Sequence, residues 1–121
     1  RRALTNTAAA GALLAAAAPA QAQGAKKKEA VDSRPKPTDG KPHVYSEATV
    51  YGDLVYVAGR ANASVPDVKG QTKIVLDEIE AVLKRAGSSM DKALRVGVFL
   101  TNIDDFAAMN EAYRGRFGDM P

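Results

Sequence analysis

Arg95-Val96-Gly97-Val98-Phe99-Leu100-Thr101-Asn102 runs directly into Ile103-Asp104-Asp105-Phe106-Ala107-Ala108-Met109-Asn110-Glu111-Ala112-Tyr113-Arg114-Gly115-Arg116-Phe117-Gly118. From Leu94 to Thr101 the side chains alternate. Leu94, Val96, Val98 and Leu100 share one face and Arg95, Gly97, Phe99 and Thr101 the other, which predicts a strand whose second face Phe99 makes partly apolar. Beyond it, Phe106, Met109, Tyr113 and Phe117 recur along one stripe. That spacing predicts an amphipathic helix beginning near Asp104 with Gly118 as its stop signal.

The residues upstream repeat the alternation of β and α signals. Val44, Thr49, Val50 and Tyr51 are β-formers, Gly52-Asp53 is a turn signal, and Leu54-Val55-Tyr56-Val57-Ala58 is a short apolar run ended by Gly59. Together they predict a hairpin with a buried second strand. Pro66-Asp67 announces a helix with Asp67 as N-cap and Gly87 as C-cap. Ile74, Val75, Ile79, Val82, Leu83 and Ala86 form its apolar side, and Glu80 and Lys84 stand as an i,i+4 pair on the other. Two such helices and at least three strands predict an α+β sandwich with both helices on one face of the sheet.

The chain opens differently. Arg1-Arg2 precedes an uncharged, alanine-dominated stretch, Ala3 to Ala18, which leads to Pro19 and the small-residue pattern Ala20-Gln21-Ala22. The stretch is too short and too weakly apolar for a stable membrane anchor, and the order of charge, apolar run and small residues predicts a cleavable signal over residues 1–22, of the twin-arginine type. An exported, periplasmic protein is expected from it. Residues 23–42 hold Lys26-Lys27-Lys28, Pro35, Pro37 and Pro42 with almost no bulky apolar side chain, and are read as a disordered tether before a domain over 43–121. The three lysines suit either contact with anionic lipid headgroups or plain solvation.

The 121 residues hold enough apolar side chain for one small core. Loss of the first 22 residues removes two arginines and no acid, leaving 15 basic against 14 acidic side chains, a balance that argues against a nucleic-acid partner. With no cysteine, thiolate chemistry is excluded. His43, the single histidine, offers no metal constellation and is read as a surface residue. No metal site and no cofactor are expected.

Asn110 is the candidate that stands out physically. It falls between Phe106 and Tyr113 on the apolar stripe, where an unpartnered carboxamide costs about 1–3 kcal/mol. It either caps or cross-links backbone there, or serves a ligand.

Tyr45-Ser46-Glu47-Ala48 at the first strand, Ala58-Gly59-Arg60 after the second, Gln71-Thr72 in the first helix, and Val98-Phe99-Leu100-Thr101 leading to Asn110 occur in the order and spacing of a known family. From Tyr45 to Pro121 the chain resembles the RidA/YjgF enamine/imine deaminases. The resemblance implies a chorismate-mutase-like α+β fold assembled as a homotrimer, with pockets at subunit boundaries. It implies hydrolysis of 2-aminoacrylate-type enamines or imines to a keto acid and ammonia, or, alternatively, a non-catalytic binding or holdase-like interaction module on the same fold.

Carried over by position, Tyr45 and Asn110 would be the catalytic pair, with Gly59, Ala58 and Arg60 contacting substrate. Three departures accompany the resemblance. Ala58-Gly59-Arg60 replaces the family's Ser-Gly-Gln, the Ala61 to Val65 loop is shorter, and the strands that carry the family's arginine and glutamate do not appear in these residues. The expectation is therefore a domain incomplete at its C-terminal side, whose deaminase activity depends on an arginine beyond Pro121. Arg60 either substitutes for that cation or reaches solvent.

Overall fold

The computed structural model of the chain describes residues 25–120. The expected signal segment, 1–22, lies outside them.

Three short strands form one antiparallel sheet in the order β1-β2-β3: β1 Lys28–Val31, β2 Ala48–Tyr51 and β3 Leu54–Val57. Tyr51 pairs with Leu54 and Ala48 with Val57, so the Gly52-Asp53 turn joins β2 and β3 as a two-residue hairpin, as the sequence predicts. Only one face of β3 is turned inward. Val55 and Val57 pack on the core while Leu54 and Tyr56 are exposed, which corrects the expectation of a wholly buried strand.

The tether reading of residues 23–42 fails at Lys28–Val31. This segment pairs residue for residue with β2, Lys28 opposite Tyr51 and Val31 opposite Ala48. Lys28, Glu29 and Ala30 are exposed because β1 is an edge strand, and an edge strand needs backbone partners more than apolar side chains.

Helix α1, Val68–Arg85, starts and stops on local signals. The Asp67 carboxylate accepts from the Gly70 amide at 2.7 Å. At the other end the Gly87 amide donates to the Lys84 carbonyl and the Ser88 amide to the Leu83 carbonyl, with Gly87 at φ +76°. This is the Schellman closure, and its left-handed residue is the reason for a glycine there. Glu80 and Lys84 meet as expected, at 2.6 Å.

The last helix is shorter than its stripe. A 3₁₀ turn at Ile103–Asp105 leads into α2, Phe106–Tyr113, and the helix ends there, not at Gly118. Gly115, at φ +76°, has already left the helical region. Phe117 still reaches the core: its ring lies 4.9 Å from that of Tyr113 and it is buried, whereas Phe106 is exposed.

Leu76, Leu83, Met90 and Phe117 form the core, with Val55, Val57, Ile79, Ala93 and Tyr113 packed around them. α1 thus bridges the sheet on one side and α2 on the other. Leu76 and Ile79 turn inward with Leu83, while Ile74 and Val75, placed on the apolar side by periodicity, are only partly buried.

Leu94 to Thr101 corrects the opening expectation. The segment pairs with no strand among the described residues, and Leu94, Val96, Val98 and Phe99 are exposed. Alternation supplies a strand with two faces, but a ladder also requires the segment to lie along a neighbouring edge, and Leu94 to Thr101 leaves the outer edge of β3 unpaired among the described residues.

Candidate functional site

The β2–β3 hairpin register decides what meets at its open end. With Ala48 opposite Val57, the residues just outside the ladder come together, and the Ala58 amide donates to the Glu47 carbonyl at 3.0 Å. Tyr45, Glu47, Ala58, Gly59 and Arg60 therefore gather at one edge of the sheet.

Glu47 organises that edge. It is 7% exposed, and its carboxylate accepts from the Ser33 amide at 2.8 Å, the Ser33 hydroxyl at 2.9 Å, Arg60 at 3.2 Å and Arg85 at 2.9 Å. Four donors satisfy a buried carboxylate and favour its charged form. The Ser33 amide contributes most, followed by the Ser33 hydroxyl, Arg85 and Arg60; together they outweigh desolvation and hold the Glu47 carboxyl at about 2. Glu47 ties the residues after β1, the start of β2, the end of β3 and the end of α1 to one another.

Arg60 is consequently neither a solvent-reaching side chain nor a free cation. Its Nη2 is paired with Glu47, its side chain is 15% exposed, and its Nε is buried without a partner. The open side of this edge belongs to Gly59, which is exposed and has nothing within 4 Å of where a Cβ would stand. The backbone there is accessible to a ligand.

Tyr45 is half exposed, at 51%. The Arg34 guanidinium lies over its ring, 4.4 Å from the centroid, and its Nη2 donates to the Tyr45 carbonyl. Asp32 holds Arg34 from the other side, accepting from Nε at 2.8 Å and from Nη2 at 2.5 Å. The same pairing keeps the Asp32 carboxyl well below the usual carboxylate range.

Asn110 stands apart from this group. It is partly buried on α2, which packs along α1, and no hydrogen bond among the described residues joins its side chain to Tyr45, Gly59 or Arg60. Its carbonyl accepts from the Arg114 amide at 2.9 Å. Within one chain, hydrogen bonding thus links Tyr45 and Arg60 to their neighbours at the sheet edge and leaves the Asn110 side chain outside that network among the described residues.

Reading by sequence missed Ser33, Arg34, Arg85 and the role of Glu47. Glu47 was legible in principle, since an acid immediately before a strand and a base shortly after its hairpin partner are placed near each other by the two-residue turn. Arg85 lies 38 positions away and gave no such signal. His43 places Nε2 at 3.0 Å from the Pro35 carbonyl, which can only accept, so that nitrogen carries the proton. Among the described residues no three acidic or histidine side chains are grouped as for a metal ion, and no helix is long and apolar enough to cross a membrane.

Neither of two hollows on the described surface is lined by Tyr45. One of about 390 Å³ lies between α1 and α2, lined by Lys69, Lys73 and Arg116 among others, and is widely open. Lys69 is paired there with Glu111, and Arg116 with Asp77 and Glu80. The other, about 280 Å³, runs between Leu94–Val96 and the Tyr113–Phe117 pair.

Comparison with known proteins agrees with this architecture. The family model described as endoribonuclease L-PSP matches residues 36–121. The protein mmf2 of Schizosaccharomyces pombe is 40% identical over 80 residues, covering 62% of this chain and 64% of its own length. A RutC family protein of Pyrococcus abyssi is 38% identical over 82 residues, covering 62% and 65%. TdcF of Escherichia coli is 28% identical over 81 residues, covering 62% and 63%. The chain thus spans just under two thirds of the length of these curated relatives.

Among solved structures, an L-PSP protein of Entamoeba histolytica superposes with a TM-score of 0.67 at 29% identity, over 78% of this chain and 80% of that one. A Rid family protein of Yersinia pestis gives 0.67 at 26% identity, over 78% and 79%. The α+β fold of a three-stranded antiparallel sheet with two helices matches them, and the chain belongs to the RidA/YjgF family, the one that the endoribonuclease L-PSP model describes.

Proposed function

We propose that this chain provides the Tyr45 half of a hydrolytic deaminase for reactive enamines and imines of the 2-aminoacrylate type. Protonation of the enamine carbon gives an imine, water adds to the imine carbon, and collapse of the adduct releases ammonia and leaves a keto acid. The reaction consumes one water and needs no redox partner. Its requirements are a held carboxylate, a proton delivered to carbon and a positioned water.

The observation that carries the reading is the half-exposed Tyr45 at the same sheet edge as the accessible Gly59 backbone. Tyr45 orients water or relays a proton, Gly59 and Ala58 offer close backbone approach, and Asn110 supplies a carboxamide. In the homotrimer that the family resemblance implies, with its chorismate-mutase-like arrangement and pockets at subunit boundaries, Asn110 of one copy would serve the Tyr45 of another. TdcF, named as a candidate reactive intermediate deaminase, supports the same reaction class.

Arg60 is committed to Glu47. That observation favours a second reading, a non-catalytic module that holds a small carboxylate. Ribonucleolysis, which the family model's name mentions, gains little from this site, because the histidine of these residues, His43, donates to a backbone carbonyl.

The order of Arg1-Arg2, the apolar run and Ala20-Gln21-Ala22 supports processing after Ala22 and a periplasmic location. Mass spectrometry of cell fractions tests it, and a cytoplasmic protein retaining Ala3 to Ala18 would refute it.

A coupled assay of keto-acid release from enzymatically generated 2-aminoacrylate tests the activity. We expect turnover by the chain extended with the family's arginine-bearing strand, lost in Tyr45→Phe and Asn110→Ala, and none by these 121 residues alone. An extended chain that binds keto acid without turnover would establish the binding module instead. Full activity of the 121 residues that disappears in Arg60→Ala would make Arg60 the substrate anchor.

A further inference from the structure

The Asp32-Ser33-Arg34 strap crosses the Tyr45 end of the sheet and plays no part in the chemistry above. We propose that Arg34 is a ligand-selecting cation, which offers its unused Nη1 edge to the carboxylate of a small acid lying against Tyr45. The inference rests on Tyr45 belonging to the ligand site.

Geometry fixes the guanidinium in place. Its Nε and Nη2 donate to Asp32, and Nη2 donates also to the Tyr45 carbonyl. Among the described residues Nη1 donates to no group, and the Arg34 side chain is 29% exposed. Two N–H bonds therefore remain on a guanidinium whose flat face already rests on Tyr45 at 4.4 Å from the ring centroid. A carboxylate received there meets charge-assisted donors and an aromatic edge together, the combination that separates a keto acid from a neutral ketone.

The strap cannot drift. Both the amide and the hydroxyl of Ser33 are bound to the buried Glu47 carboxylate, so the residue before Arg34 is anchored to the sheet. Arg60 does not compete for the role, since it is paired with Glu47 and its Nε is closed to solvent. Asp32 compensates the Arg34 charge, so the pair selects among ligands more than it binds them tightly.

Titration of the full chain with 2-oxobutanoate and with butanone, followed by NMR, tests this without requiring turnover. The chain is expected to prefer the acid, Arg34→Gln and Arg34→Ala to reduce that preference about tenfold, the worth of one charged hydrogen bond, and Arg34→Lys to recover much of it. Arg34→Gln keeps a donor for the Tyr45 carbonyl, and its melting curve reports whether the fold is intact. A folded Arg34→Gln with undiminished preference, or a wild-type chain with none, would overturn the inference. If keto-acid release is absent while the Arg34-dependent preference persists, the deaminase reading falls and this inference stands. If the extended chain releases keto acid and Arg34→Gln leaves that release unaltered below saturation, the deaminase reading stands and Arg34 has no part in ligand selection.

Discussion

Glu47 and Arg60 flank the β2–β3 hairpin and close its open end, Nη2 donating to Oε1 at 3.2 Å across 13 positions of sequence. The contact is more than a surface ion pair, because Glu47 is buried and also accepts from Arg85 and twice from Ser33. Exposed pairs contribute little, whereas breaking a pair away from water strands charges and donors.

Replacement of Glu47 by alanine is accordingly expected to cost on the order of 2 kcal/mol, at the low side for a buried pair because Arg85 is 38% exposed and can rehydrate. Glu47→Gln, which keeps one acceptor, should cost less. Urea denaturation gives the ordering, and an alanine variant as stable as the parent would mean that the four donors find water equally well.

The same carboxyl predicts an acid limb of stability. Its value falls from 4.5 unfolded to about 2 folded, so its stabilisation is fully present above about 4.5 and is lost as pH falls toward 2. Glu80 and Glu111 are also lowered, by Lys84 and Lys69 respectively, and add in the same direction. Melting temperature followed by circular dichroism should decline through this window, and less steeply in Glu47→Gln.

Leu76 and Ile74 separate periodicity from packing. Leu76 is 3% exposed within the core cluster, so Leu76→Ala should cost about 2–5 kcal/mol, whereas Ile74→Ala, at a partly buried site outside it, should cost clearly less. Chemical denaturation of both variants checks the order; equal losses would place Ile74 in the core.

The ends of α1 allow a local test. Asp67→Ala removes the bond to the Gly70 amide and should cost about 1 kcal/mol. Gly87→Ala forces a side chain into φ +76° and should cost about 1–2 kcal/mol, all of it backbone strain, since nothing lies within 4 Å of the new Cβ. Thermal melts of the two variants are the measurement.

Read alone, the sequence determined the features whose partners are near in the chain. The Gly52-Asp53 hairpin, the Asp67 cap, the Gly87 closure and the Glu80–Lys84 pair each involve residues within a few positions, so the chemistry that satisfies them is written beside them. Tyr45 and Ala58 to Arg60 could be picked out by their motifs, although not the state of Arg60. Tertiary structure decided everything that depends on a distant partner. Lys28–Val31 became an edge strand because β2 offered a free backbone edge, whereas Leu94 to Thr101 joined no ladder although the outer edge of β3 is unpaired among the described residues. Glu47 met Arg85 only once the sheet and α1 had been brought together, and Ser33 met Glu47, as Arg34 met Tyr45, only once β1 had paired with β2. A buried charge must be met by whatever donors the fold delivers, and their positions in the chain carry no mark of that demand.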